Sequence, residues 1–124
     1  MMPSIIAICI GACVGALLRW QLSVWGNAGD GLPLGTLAAN WLGGYLVGVG
    51  VGVFEAMPQL DPQWRLLLIT GFLGALTTFS SFSAEVVGML QQSRLVLAGL
   101  TAGMHLIGSL ALTWLGLKTI EWLR

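Results

Sequence analysis

Polar side chains that can bind a small ion stand inside strongly apolar runs of this 124-residue chain. Asn40 carries an uncharged amide that can donate two hydrogen bonds, and Thr36 stands one helical turn before it. Phe79 and Phe82 are three residues apart among hydroxyl side chains, and the positive edge of an aromatic ring attracts anions. For Asn40, interhelical hydrogen bonding and contact with a ligand are equally good interpretations. For the two rings, ordinary packing is the alternative to anion binding.

The stretch from Gly71 to Ser83 is poor material for a continuous helix facing lipid. Gly71 and Gly74 are followed by five hydroxyl residues within the seven positions 77–83. Ser and Thr compete for backbone hydrogen bonds, and Gly lowers the cost of non-helical dihedral angles. We therefore predict a helix that is broken here. Such backbone must be buried in protein or line an aqueous cavity, where its carbonyls can bind cations. A hydroxyl-rich kink or a packing seam is the alternative.

Composition defines the setting of these residues. Hydrophobic residues make up 56% of the chain and charged residues only 8%, with five Lys or Arg and five Asp or Glu. Soluble domains are about 25% charged, so a soluble globular enzyme is excluded. The zero net charge also excludes a nucleic-acid binder, which needs a basic face. An all-α integral membrane protein remains, with lipid as its surroundings.

Four apolar runs are long enough to cross a bilayer, which takes about 20 residues each. We predict a single domain, 1–124, with spans at about 3–24, 34–54, 64–90 and 95–122. The breaks between them are rich in Gly, Asn and Pro, which are typical of loops. We name these runs spans 1 to 4.

The basic residues give almost no preference for one orientation. With four spans, one side holds Arg65, Lys118 and Arg124, and the other holds Arg19 and Arg94. Three against two is too weak a bias to fix topology. A single charge or a lipid preference could still decide it. We favour dual topology, in which two copies insert oppositely and form an antiparallel dimer.

Two further features have alternative interpretations. Arg19 follows Gly11 and Gly15 at four-residue intervals, and it either snorkels to the headgroups or gives a pore mouth a positive potential. Span 4 has a polar face that packs against a helix or lines a polar path. Its members are Thr101, His105, Ser109 and Thr113.

Three of these segments together resemble the small bacterial fluoride channels of the Fluc or CrcB family. The similar blocks are GACVGALLRW at 11–20, GTLAAN at 35–40 and TGFLGALTTFSSFSAE at 70–85, with a shorter match, GSLA, at 108–111. The third block is long and unusual in composition, so it is the most specific of them.

The resemblance implies a dual-topology homodimer with two fluoride pores. It implies that Asn40, Phe79 and Phe82 line the fluoride path, helped by the hydroxyls of Ser83 and Ser109. It also implies a sodium ion at the dimer centre, held by backbone carbonyls of Gly74 and Thr77 from both copies. Arg19 would lie in the vestibule, and Glu85 is the acidic residue after the Phe block. Thr101 and His105 stand where members of the family differ, so their roles stay open.

Two functions are weighed from these features. The first is a passive fluoride channel, not an enzyme, that exports cytoplasmic fluoride across a bacterial inner membrane and protects the cell from its toxicity. The second is a proton-coupled exporter of cationic compounds of the small multidrug resistance type. That chemistry needs a carboxylate at membrane depth. Span 1 has none, and Glu85 stands toward a span end. The channel is the prediction.

Overall fold

Four long apolar helices build the chain, whose residues 1–29 and 31–124 are described by a computed structural model. Span 1 is Met2–Gly26, span 2 is Leu34–Ala56, span 3 is Pro62–Gln91 and span 4 is Leu95–Leu123. Each exceeds the length that the hydrocarbon core requires. Spans 1 and 3 have a proline in their first turn, where a missing N–H does not break a helical hydrogen bond.

Span 3 is the irregular member of the set. It begins as an α-helical turn, Pro62–Arg65, continues as a π-helix, Leu66–Leu73, and returns to α-helix at Gly74–Leu76. Thr77 and Thr78 then have extended dihedral angles, with φ −82° and ψ 153° for Thr77 and φ −152° and ψ 118° for Thr78. The α-helix Phe79–Gln91 follows, with the Thr78 hydroxyl accepting a hydrogen bond from the Ser81 N–H at 3.0 Å. Thr78 is therefore its N-cap.

Glycines bring the helices together in two pairs. Span 1 packs on span 3 at Gly15, where an added Cβ would overlap the Phe72 carbonyl oxygen. Span 2 packs on span 4 at Gly48 and Gly116, each of which lies against the other helix's backbone. Such close approach increases van der Waals contact, which drives helix association in lipid.

A tight turn connects spans 3 and 4. The Ser93 N–H donates to the Leu90 carbonyl at 3.0 Å, and the Arg94 N–H donates to the Met89 carbonyl at 2.9 Å. These two bonds, with Ser93 at φ 58°, form a Schellman ending. Span 4 therefore turns back directly after span 3 and packs against its second half.

The buried centre lies between spans 2 and 3. Ala39, Leu73 and Leu76 form it, and Leu18 and Phe72 pack around them. Leu76 is the last helical residue before the extended pair, so the chain leaves helical geometry beside the most buried part of the protein.

Replacing Gly15 by Ala tests the close contact of spans 1 and 3. The new Cβ would overlap backbone atoms of Phe72 and Leu76, which cannot move as a side chain can. We expect a loss of about 1–3 kcal/mol in stability, seen as a lower melting temperature in detergent. Gly99→Ala is the matched control, because no heavy atom lies within 4 Å of the position its Cβ would take. Equal melting temperatures for the two variants would contradict this packing.

Candidate functional site

The Asn40 side chain pairs with the backbone of Thr78. Its Oδ1 accepts a hydrogen bond from the Thr78 N–H at 2.8 Å, and its Nδ2 donates to the Thr78 carbonyl at 3.0 Å. A side-chain amide offers one acceptor and two donors, so it matches the two groups that an extended residue exposes. Span 2 thus supplies the partner that the Thr78 N–H lacks within span 3, and a second donor for the Thr78 carbonyl.

The same amide fixes the protonation pattern of His105. Asn40 Nδ2 lies 3.0 Å from His105 Nδ1 and is a donor, because Oδ1 of the amide accepts the Thr78 N–H. His105 Nδ1 must therefore accept, and the neutral ring carries its proton on Nε2. Only 3% of His105 is exposed, and Nε2 has no partner among residues 1–29 and 31–124.

Three aromatic rings stack in sequence beside this network. Phe79 and Phe82 meet edge to face, with centroids 5.3 Å apart and planes at 77°. Phe82 lies over His105, with centroids 4.4 Å apart and planes at 30°. Phe79 is 76% exposed in the single chain, so the row of rings leads from a buried imidazole to the protein surface.

These groups border one cavity of about 290 Å³. The structure brings together there four of the residues predicted for the ion path, Asn40, Phe79, Phe82 and Ser109, and adds His105. None of the lining residues is Asp, Glu, Lys or Arg in the described part of the chain. The full lining consists of Asn40, Gly44, Thr77, Thr78, Phe79, Phe82, His105, Leu106, Ser109 and Leu110.

Three predicted polar residues do not line this cavity: Ser83 of span 3, and Thr101 and Thr113 of span 4. Ser83 is half-buried on the helix after Thr78 and is not part of the cavity lining. Thr101 is fully buried, with its hydroxyl 3.5 Å from the sulfur of Met89. The Thr113 hydroxyl donates to the Gly44 carbonyl at 2.9 Å, so it links spans 2 and 4.

Arg19 reaches the end of the first helical part of span 3, where Gly74 and Thr77 lie. Arg19 Nε donates to the Ala75 carbonyl at 3.0 Å. The Thr77 hydroxyl donates to the Leu73 carbonyl at 2.9 Å, and Gly74 is exposed in the single chain. Arg19 thus contacts the backbone of the residue that follows Gly74.

A second polar network lies where span 2 begins. Asn27 Oδ1 accepts the N–H groups of Gly35 and Thr36 at 2.8 and 3.1 Å, and so caps the first turn of span 2. Asn27 Nδ2 donates to the Thr36 hydroxyl at 2.9 Å, which in turn donates to Glu85 Oε2 at 2.6 Å. Glu85 Oε1 is buried and has no partner within the described residues.

Asn27 and Trp41 carried no predicted role, and His105 was predicted only as one member of the polar face of span 4. Asn27 stands in a loop, and Asn is common in turns, so its presence there predicts no further role. It caps span 2 from several residues before the helix begins, and no sequence pattern next to the helix indicates such a cap. His105 was part of a polar face without a partner. The Trp41 indole N–H donates to the Met104 carbonyl at 2.9 Å, and Gly108 leaves the space for its ring. In the described chain, no three His, Cys, Asp or Glu side chains could share a metal ion.

Four helices long and apolar enough to cross a membrane, three of which line the cavity beside Asn40, are typical of a multi-pass membrane protein. Residues 6–117 match the family model described as CrcB-like protein, Camphor Resistance (CrcB). The chain belongs to the CrcB family and is a multi-pass bacterial membrane protein.

Relatives of this chain are named as ion channels, which are not enzymes. The protein named fluoride-specific ion channel FluC in Albidiferax ferrireducens is 66% identical over 123 residues, covering 99% of this chain and 95% of the relative. The protein of the same name in Variovorax paradoxus is 61% identical, covering 98% and 97%. That of Pseudomonas aeruginosa is 50% identical, covering 99% and 98%.

The cap from Asn27 can be tested with two substitutions. Asn27→Asp keeps an oxygen for the N–H groups of Gly35 and Thr36, whereas Asn27→Ala leaves both unpaired. We expect the Ala variant to lose about 0.5–2 kcal/mol of stability and the Asp variant to lose less. Thermal unfolding in detergent, followed by circular dichroism, measures the difference. An Ala variant as stable as the wild type would contradict the capping role.

Proposed function

We propose that this protein is a fluoride-selective channel that lets cytoplasmic fluoride leave the cell passively and so protects it from fluoride toxicity. The cavity beside Asn40 is the observation that carries the proposal. It offers an amide, hydroxyls and aromatic rings, and no charged side chain of the described residues lines it. The names of the relatives indicate which anion it serves.

The chemistry of the cavity suits a small, strongly hydrated anion. A permeation path must replace the water of the ion with many weak donors and must still let the ion go. A fixed positive charge would hold the anion too tightly. Phe79, Phe82 and Ser109 line the cavity, where the rings would offer their edges and Ser109 its hydroxyl. Ser83 would assist from the helix that carries both rings.

Asn40 would serve the anion while keeping its bonds to Thr78. Both hydrogens of Nδ2 are engaged, one by the Thr78 carbonyl and one by His105 Nδ1. An anion at Asn40 therefore takes the place of His105 as acceptor. We infer that the imidazole is the replaceable partner, because a side chain can move aside, whereas the Thr78 carbonyl is held in the backbone.

The proposal includes an antiparallel dimer of two copies with opposite orientation. In the single chain, the Phe79 ring is mostly exposed and the Gly74 backbone is open on one side. Exposed backbone polar groups are costly in lipid, so protein must cover them. A second copy supplies that cover, and the nearly even distribution of basic residues allows it to insert the other way.

We also propose that Thr77 and Thr78 divide span 3 into two half-helices whose free carbonyls hold a sodium ion at the dimer centre. In a regular helix, the carbonyls of Gly74 and Thr77 would accept the N–H groups of Thr78 and Ser81. Both N–H groups are instead bonded to side chains, those of Asn40 and Thr78. Carbonyl oxygens suit a hard cation, so Gly74 and Thr77 fit this role. Bound there, sodium neutralises facing carbonyls of the two copies.

The exporter of cationic compounds is the weaker candidate. It needs a carboxylate where the cargo binds, to exchange protons for the cation. The cavity lining has none, and the Glu85 carboxylate lies instead in the network of Asn27 and Thr36.

Fluoride efflux from liposomes tests the channel and its ring edges together. We expect the purified wild-type protein to release fluoride and not chloride. The double variant Phe79→Ile, Phe82→Ile keeps bulk and apolarity but removes the quadrupoles, so assembly should survive and fluoride flux should fall at least tenfold. Trp64→Ile, in an exposed position at the start of span 3, is the control for loss of an aromatic ring. Wild-type flux in a well-assembled double variant would rule out the ring-edge mechanism, and chloride flux equal to fluoride flux would rule out selectivity.

Reporter fusions at the C-terminus test dual topology. We expect signal from both sides of the membrane for the unmodified chain, because three basic residues on one side face two on the other. Two or three added Lys residues next to Arg65 should shift nearly all copies to one orientation. If the unmodified chain reports from one side only, the antiparallel dimer is wrong.

A further inference from the structure

Arg19 lies beside the one turn of span 3 that loses its helical hydrogen bonds. The carbonyl of Ala75 would accept the N–H of Phe79 in a continuous α-helix, but Thr77 and Thr78 are extended and move Phe79 away. Arg19 Nε occupies the vacated position and donates to that carbonyl at 3.0 Å.

The path of span 1 explains why an arginine can reach this atom. An added Cβ at Gly11 would overlap the Leu67 carbonyl oxygen, and one at Gly15 would overlap that of Phe72. Span 1 therefore runs in backbone contact with the π-helix of span 3. Arg19 is the next residue on the same face, and it meets the helix at its carboxyl end, where the macrodipole favours a cation.

Three neighbouring carbonyls of this turn thus have different surroundings. Ala75 is bonded to Arg19, whereas the carbonyls of Gly74 and Thr77 have lost their N–H partners to Asn40 and Thr78. A guanidinium bonded to Ala75 keeps that oxygen from competing for a cation, and it holds the peptide planes on either side in place. It does this with a charge-assisted hydrogen bond, which is stronger than a neutral one.

We propose that Arg19 is a positioning residue for the central cation site: its bond to the Ala75 carbonyl orients the Gly74 and Thr77 carbonyls toward the ion. This inference rests on the proposed channel and its sodium ion. It is an alternative to the vestibule role, in which the charge of Arg19 attracts anions to the pore mouth. The two roles predict different effects of altering Arg19. In the positioning role the sodium dependence of flux changes, and in the vestibule role the fluoride dependence changes.

The first measurement is sodium-dependent fluoride efflux of the full-length chain in liposomes, with N-methylglucamine replacing sodium. Arg19→Met removes both the charge and the Nε donor. We expect this variant to need about tenfold more sodium for half-maximal flux, the effect of losing one charge-assisted hydrogen bond, with an unchanged fluoride dependence. Arg94→Gln, which removes a positive charge elsewhere, should behave as wild type.

Two outcomes would overturn the assignment. One is an Arg19→Met variant with the sodium dependence of the wild type, because the bond to the Ala75 carbonyl would then not affect the cation site. The other is a variant that needs more fluoride than the wild type at low salt but the same amount at high salt. Salt screens a charge in the vestibule, so this result would indicate the vestibule role.

A second measurement does not depend on transport. Labelling Ala carbonyls with ¹³C and Leu amides with ¹⁵N selects three Ala-Leu pairs, at 16–17, 75–76 and 111–112. Loss of the guanidinium bond should move the Ala75 carbonyl resonance upfield in Arg19→Met, while those of Ala16 and Ala111 stay. A wild-type protein that conducts no fluoride would defeat the proposed function, but an Ala75 resonance that does not move would overturn the role of Arg19 even in a conducting channel.

Discussion

Inside the hydrocarbon, each backbone N–H and C=O must find its partner within the protein, and this constraint governs the rest of the structure. It is most demanding at Thr77 and Thr78, where extended dihedral angles remove hydrogen bonds from the middle of span 3. Asn40 meets it for Thr78 by pairing with both the N–H and the carbonyl. For this the two helices must lie close together, and Gly43 allows it, since a Cβ there would overlap the methyl group of Thr77.

Sequence patterns located the principal features because each leaves a local signal. Apolar runs gave four spans, and the structure has four long apolar helices. Hydroxyl residues after two glycines indicated irregular backbone, and Thr77 and Thr78 stand in that stretch. Partners across helices could not be predicted in this way. Spacing tells which residues share a face of one helix, but not which atoms of a neighbour that face meets. The bond from Arg19 to Ala75 and the cap from Asn27 to span 2 are therefore visible only in three dimensions.

Asn40 shows that structural and functional interpretations of one residue need not compete. Its bonds to Thr78 and His105 connect three helices, which is what interhelical hydrogen bonding means. In the proposed channel, the same bonds hold the amide so that its Nδ2 faces His105, the acceptor that an anion would replace. A donor that is already oriented loses little entropy when an anion arrives, whereas a free side chain would have to be ordered first. The rigidity that holds the helices together is thus also what prepares the donor.

The placement of charge follows from the same constraint. Arg19 is engaged with a backbone carbonyl at the end of a helix, and Glu85 with the Thr36 hydroxyl, so the cavity beside Asn40 is lined by neutral groups. Neutral donors bind an anion weakly enough to release it, which conduction requires. The carbonyls of Gly74 and Thr77 remain the exception, because their helical partners are bonded to side chains. Lipid offers these two carbonyl oxygens no hydrogen-bond donor, so a cation or a second protein surface has to interact with them. In the proposed channel, a cation shared with an inverted copy would provide both at once, and the dimer would then follow from the backbone at Thr77 and Thr78.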